Sequence, residues 1–312
     1  MATAVAGLSA LAITASMIAP SLAGSSHSNP PSNSASVYTD DIADYGVCRG
    51  VDPSCYHDWG QGYQKGDQKR VLIWSRTAGP RHAHLGTPLA PGLNPPLDAS
   101  NVAQAGLKKW LEAAGVQVDY TEDLSAFRPD NYQAVINLSG NRDTFDLTAQ
   151  TALMQFIRRG GGFVGIHNAL GAEYDWPYYE GLLGGANYYD HGSNREGTIS
   201  TLDKKDVSTA KLPTQWQFTD EYYNLVPFPS FVRPLLKVDA ATSAQGGDRG
   251  HGNNHLVSWC QYYDGGRAWL TTLGHDVKDW DDVDGNIAGD VAFREHVVHG
   301  VLSAMGVEPF CR

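Results

Sequence analysis

Several things that would have made this chain easy to read are scarce in it. Its 312 residues include four cysteines and four methionines, and 23 Lys and Arg stand against 34 Asp and Glu, a formal net charge of -11. With no basic run to neutralise phosphates, a nucleic-acid partner is excluded, and an anionic membrane surface is disfavoured for the same reason. No Cys-x-x-Cys pair occurs, which argues against a cysteine zinc site. No serine sits in a Gly-x-Ser-x-Gly turn and no cysteine directly follows a strand, so acyl transfer through a covalent ester or thioester has no nucleophile. Internal repeats are also missing.

The N-terminus carries a short apolar run, "MATAVAGLSALAITASMIAPSLAG", ending in the small-x-small triplet Ser21-Leu22-Ala23. No Lys or Arg precedes it, but the cleavage pattern predicts a signal peptide over residues 1–23. Export to a secreted or extracytoplasmic location follows, with no stable membrane association once the leader is removed. Residues 24–66 begin Ser/Asn/Pro-rich, without apolar anchors, and read as a linker leading into an extension containing Cys48 and Cys55. Four cysteines permit three pairings. In an exported chain a local Cys48–Cys55 loop is favoured, and Cys260 with Cys311 would then tie down the C-terminus; the alternative is four thiols in a reducing compartment.

From residue 67 to 312 the pattern becomes that of one domain. "RVLIWS", "VQVDY", "YQAVINL" and "GFVGI" are short apolar runs that read as buried strands. Between them Ala103, Leu107, Trp110, Leu111 and Ala114, and later Ala149, Leu153, Phe156 and Ile157, recur at helical spacing. The alternation predicts an α/β fold with a mainly parallel sheet and helices on both faces. Gly160-Gly161-Gly162 precedes a strand instead of joining a strand to a helix, so it reads as a helix stop and not as a dinucleotide fingerprint. Further on, "PYYEGLLGG" reads as a short helix and "GTISTL", "EYYNL" and "PLLKVD" as short strands. "HLVSWCQYY" and "GRAWLTTL", split by Asp264-Gly265, predict a C-terminal β-hairpin, and a final helix carries Phe293, Val297, Val301 and Met305.

Ligands of open α/β sheets bind beyond the carboxyl ends of the strands. Just past three predicted strands the chain places Arg81, His82 and His84, then His167-Asn168, then His275-Asp276, while "TDEYYN" adds Asp220, Glu221 and Tyr222. One histidine at a strand end is ordinarily a hydrogen-bonded cap; three aimed at the same rim suggest a site. His251 and His255 have metal-binding spacing, but Gly252-Asn253-Asn254 between them indicates a loop. The aromatics Trp176, Tyr178, Tyr179, Tyr188, Tyr189, Tyr222 and Tyr223 could stack on sugar rings or equally be core. The acidic stretch "DVKDWDDVDGN" fails the EF-hand template, which would put Trp280 and Val291 at ligand positions.

The stretches "RVLIWSRTAGPRHAHL", "FIRRGGGFVGIHNA", "TDEYYNL" and "VSWCQYYDGGRAWLTTLGHD", with the closing helix, resemble the ThuA-like (trehalose utilisation) family. That family has the flavodoxin-like scaffold of the class I glutamine amidotransferases. Its motif residues fall here on His82, His167, Glu221, His255, Trp259 and His275, with Leu256 where proline is usual. The resemblance implies a small carbohydrate substrate, a disaccharide or a 3-keto glycoside, and acid/base chemistry at the rim. His167, Glu221, His82 and His275 are then the candidate catalytic groups, and Arg81, Asn168, Trp176, Tyr222, His255 and Trp259 the candidate substrate contacts. A divalent metal such as zinc on His82, His167 and His275 would leave an open coordination position. Two other readings stand beside this one: a sugar-binding protein without turnover, and a metal-dependent hydrolase. Amidotransferase activity is not expected, because His167 stands where that scaffold carries its nucleophilic cysteine.

Overall fold

The computed structural model describes residues 45–239, 250–281 and 288–312. The leader and the Ser/Asn/Pro-rich part of the linker therefore lie outside the described residues, as does most of the acidic stretch after Trp280.

In chain order the elements are β1 (Arg49–Gly50), β2 (Arg70–Trp74), α1 (Val102–Ala113), β3 (Gln117–Thr121), β4 (Ala134–Leu138), α2 (Leu147–Arg158), β5 (Gly162–Ile166) and α3 (Pro177–Leu182). They continue with β6 (Tyr188–His191), β7 (Arg195–Thr201), β8 (Gln215–Asp220), β9 (Tyr223–Leu225), β10 (Arg233–Val238), β11 (Leu256–Tyr263), β12 (Gly266–Thr271) and α4 (Ala288–Met305). The main sheet runs β3-β2-β4-β5-β12-β11-β10-β7-β8, with β1 beside β11. β3, β2, β4, β5 and β12 are mutually parallel, and from β11 outward every pairing is antiparallel.

The parallel strands read as continuous apolar runs because both of their faces are covered. Val71 and Ile73 of β2, Ile136 of β4 and Val164 of β5 enter the layer that holds Leu107 of α1 and Phe293 of α4. Leu72 and Trp74, Val135 and Phe163 point the other way, against Leu153 and Phe156 of α2. The predicted α/β architecture with helices on both faces is thus present. The predicted hairpin is present too, but not as an appendage. Its turn is Asp264-Gly265, both at positive φ, and β12 inserts beside β5 at the centre of the sheet.

The antiparallel half curls back over α4, where Phe218 of β8 packs on Phe293 at 5.3 Å. Counting directions outward from β12, β8 ends at the same edge as β2, β5 and β12. That edge carries the site.

Residues 45–66 are packed onto the domain and do not trail from it. β1 pairs with β11, Arg49 donates to the Ser230 carbonyl at 2.9 Å, and the Arg267 guanidinium lies 3.8 Å over the Tyr56 ring. All four cysteines are paired, as Cys48–Cys55 and Cys260–Cys311. Disulfides persist in oxidising compartments. Among the described residues no helix is long and apolar enough to cross a membrane. Cys260 and Cys311 are 51 residues apart against 7 for the other pair. The chain-entropy argument therefore predicts that the Cys260→Ala/Cys311→Ala variant loses about 4 kcal/mol and Cys48→Ala/Cys55→Ala about 2.5 kcal/mol. Urea unfolding of the two double variants checks the order.

A second expectation concerns His296, fully buried on α4, with Nδ1 on the Ser208 carbonyl at 2.9 Å and Nε2 on Ser258 Oγ at 2.8 Å. Burial depresses its pKa from the ordinary 6.5 to about 4. The unfolded chain therefore binds the extra proton between those values. The stability contributed by the neutral ring is complete above pH 6.5 and is lost as pH falls toward 4, at about 1.4 kcal/mol per pH unit. His296→Gln keeps a polar partner for both neighbours and does not titrate. Between pH 6.5 and 5.5 it should lose about 1 kcal/mol less stability than the wild type in paired urea titrations.

Candidate functional site

Four loops bring four side chains together at the shared edge. His82 introduces the short 3-10 turn Ala83–Leu85 in the loop after β2. His167 follows β5 directly and opens the turn His167–Gly171 at φ 52, a left-handed conformation that non-glycine residues adopt rarely and that swings the ring over the strand ends. Glu221 lies between β8 and β9, and His275 follows β12. One ligand atom from each of His82, His167, Glu221 and His275 lies within 4.8 Å of every other. His275 Nδ1 is 3.1 Å from Glu221 Oε2 and 3.3 Å from His167 Nε2.

The hydrogen bonds fix the buried tautomer. His167 Nδ1 is 2.8 Å from the Thr272 carbonyl, which only accepts, so Nδ1 carries the proton and the Nε2 lone pair faces the cluster. Tyr223 donates its hydroxyl to that Nε2 at 2.8 Å. His84, whose ring is also buried, holds the Ser139 hydroxyl at 2.8 Å and the His275 carbonyl at 2.7 Å, and so orients the loop that carries His275. His82 Nδ1 is buried with no partner.

Burial sets the charge of the group. It pushes His82 down to about 4 and His84 to about 3, and in each case a neighbouring imidazole adds to the effect. His167 lies well below its ordinary value, through burial first and then His82, His84 and His275. Burial alone would raise Glu221, but the His275 hydrogen bond and the nearby imidazoles outweigh it and hold the carboxylate below its usual range. Behind His167, burial and the neighbouring Asp279 hold Asp220 well above the usual carboxylate range. Both shifts favour the neutral forms, so the 3.9 Å approach of Asp220 Oδ1 to His167 Nδ1 is not favoured as an ion pair. Burial thus favours the neutral form of His82, His84 and His167, beside a Glu221 that is held ionised.

The donor set suits a divalent cation of the zinc type, which takes neutral imidazole and carboxylate ligands. The unpartnered His82 Nδ1 fits that use directly, and the single Nε2 lone pair of His167 fits it only by giving up the Tyr223 hydroxyl. The cluster borders a cavity of about 310 Å³, whose walls include His82, Glu221, His275, Tyr174, Tyr188 and Tyr223. At the small end of the ligand-pocket range of about 300–1,000 Å³, it suits one sugar ring better than an enclosed disaccharide. His167 does not line it: the ring is fully buried, beneath the floor.

Of the six expected substrate contacts, Asn168 alone lines the cavity. Arg81 is committed elsewhere, to the carbonyls of Leu85, Gly86 and Thr87 and to Glu122. Trp176 stacks on Tyr178 and Tyr179. Tyr222, His255 and Trp259 are buried, each at or below 1% exposure; their polar atoms serve the backbone of Phe218, Tyr223 and Leu183. None of these five lines the cavity. Tyr223 lines it in place of Tyr222, since the break between β8 and β9 resets the strand alternation. Sequence reasoning also missed Asn141 and Arg142. They follow β4, and the strand-end rule that found the histidines applies to that loop equally.

A mixed-sheet α/β protein with a histidine-glutamate centre at the strand ends is the class that fold and geometry define. Within it, the chain belongs to the ThuA family, described as trehalose utilisation, whose model matches residues 70–302. The solved structures similar to it include a putative ThuA-like protein from Parabacteroides merdae, with a TM-score of 0.58 at 18% identity over 78% of this chain and 91% of that one. Another, from Bacteroides uniformis, has a TM-score of 0.56 at 18% identity over 80% of this chain and 98% of that one. These likenesses are of fold. Among curated proteins no significant match is found.

Proposed function

We propose that this chain is an extracytoplasmic carbohydrate-processing enzyme that removes the proton next to the carbonyl of an oxidised glycoside, a 3-keto sugar. The observation that carries the reading is the convergence of four ligand atoms within 4.8 Å at the edge of a sugar-sized cavity. The ThuA family description supports carbohydrate as the substrate class, and the two disulfides support an oxidising location.

In this reading His82, His167 and His275 would hold a divalent ion, which when bound supplies a Lewis acid that polarises the sugar carbonyl. Glu221, ionised and facing the cavity, takes the proton from C2 of the 3-keto ring. The electron pair passes to the C3 oxygen as an enolate. The enolate then re-forms the carbonyl, C1=C2 forms, and the glycosidic C1–O bond breaks. The departing oxygen takes a proton from solvent. His167 would hold the ion from below through Nε2, which then releases the Tyr223 hydroxyl toward the cavity.

Incubation of the purified protein with a 3-keto-glucoside, with and without added zinc, tests the reading. The expected result is release of the aglycone alcohol and an unsaturated keto sugar. Binding seen by calorimetry with no product after long incubation would instead leave a sugar-binding protein.

A further inference from the structure

The cavity has polar walls besides the histidines and Glu221. Asn141, Arg142 and Asn168 line it, and none of them is used by the chemistry above. Asn141 and Asn168 are 8% and 4% exposed, yet their side-chain amides make no hydrogen bond to any described residue. Buried amides ordinarily find partners. Here the space they face is the cavity.

Arg142, itself an exposed residue, lines the same cavity. Its guanidinium rests over the Tyr174 ring at 5.5 Å and pairs with no carboxylate among the described residues. Arg70, Arg81, Arg158, Arg159 and Arg233 each have one, whereas Arg76 and Arg128, like Arg142, do not; of these three, only Arg142 lines the cavity. Glu221, the one carboxylate among the described lining residues, is taken by His275 at 3.1 Å and His191 at 3.5 Å. The neighbouring Asp143 is exposed and does not line the cavity.

The loop that presents Arg142 is firmly held. Arg142 has φ 62, fixed by its N–H on the Gly171 carbonyl at 3.0 Å and by its own carbonyl, which accepts from Glu173 N at 3.2 Å. Left-handed backbone at a non-glycine residue persists where its surroundings enforce it. The buried Glu173 carboxylate accepts from the backbone N–H groups of Thr144 and Phe145, anchoring the next turn. Gly79 leaves room for the arginine stem: a Cβ there would lie 2.5 Å from Arg142 Cγ.

A guanidinium on a firmly held backbone, with no carboxylate partner among the described residues and two unpartnered amides lining the same cavity, suits a bidentate anion. We propose that Asn141, Arg142 and Asn168 bind an anionic substituent, carboxylate or phosphate, and that the preferred substrate is an acidic sugar. The inference deepens the sugar-site reading and rests on it, but it is tested by binding alone, so turnover of a keto sugar decides that reading separately.

The experiment is calorimetry on the full-length protein with glucose, glucuronate and glucose 6-phosphate. At least one acidic sugar should bind about tenfold more tightly than glucose, and the stronger of the two identifies the group as carboxylate or phosphate. Arg142→Gln should remove that advantage and leave glucose affinity within about twofold, while Arg142→Lys, keeping charge without the fork, should retain part of it. Equal binding of glucose and the acids, binding of none of them, or an acid preference that survives Arg142→Gln would each overturn the proposal. In the last case another cavity group, and not Arg142, holds the anion.

Discussion

Glu221→Gln is expected to slow turnover of a 3-keto glycoside by about 100- to 10,000-fold, the range for removing a general base. The loss should fall on kcat, with KM little changed, because glutamine keeps the size of the side chain and can still meet the substrate. Metal content, measured by elemental analysis after zinc loading, should be retained, since the three imidazoles remain. His275→Ala should behave differently. It removes a group that lies 3.1 Å from Glu221 and 3.3 Å from His167, so both metal retention and rate should fall. A Glu221→Gln enzyme with wild-type kcat would remove the carboxylate from the chemistry and with it the proton-abstraction reading.

The largest stability effect is expected at Trp269, in the central strand β12. Its indole is fully buried, donates from Nε1 to Ser208 Oγ at 3.2 Å, and packs 4.6 Å from the His296 ring. It lies flat on α4 at Gly300, where a Cβ would come within 2.4 Å of the ring. Trp269→Ala therefore opens a large cavity between the sheet and its C-terminal helix and should cost about 3–5 kcal/mol. That is a large share of a typical domain's stability of about 5–15 kcal/mol. Gly300→Leu attacks the same contact from the other side by overpacking it. Chemical unfolding of both variants checks the pair, and a loss under about 1 kcal/mol at Trp269 would mean that the helix does not depend on this seam.

The site was partly legible because of where its residues fall in the chain. His82, His167 and His275 each stand shortly after an apolar run, and strand ends in a parallel sheet share one edge. Glu221 was legible only as part of the polar stretch "TDEYYN", at the start of an expected strand; the strand it follows, β8, was not foreseen and reaches that edge through an antiparallel extension. The substrate contacts were not legible. Family motif positions such as His255 and Trp259 serve the buried seam between β11 and the layer of α3, through bonds to the backbone of Tyr223 and Leu183. Tyr222 and Tyr223 exchange roles because two residues between β8 and β9 leave the ladder, and period-two alternation does not survive such a break.

What the sequence determined by itself was local. Apolar runs of five or six residues with glycine stops made the strands, helical spacing made α1, α2 and α4, and Asp264-Gly265 made the hairpin, because period and turn chemistry act over a few residues. Only the tertiary structure decided that β12 enters the centre of the sheet, that β8 curls over α4 to deliver Glu221, and that Arg142 faces the cavity without a counter-ion. Those outcomes depend on which strands pair across more than a hundred residues of chain and on where burial strips water from an imidazole, and neither is written in any one stretch of sequence.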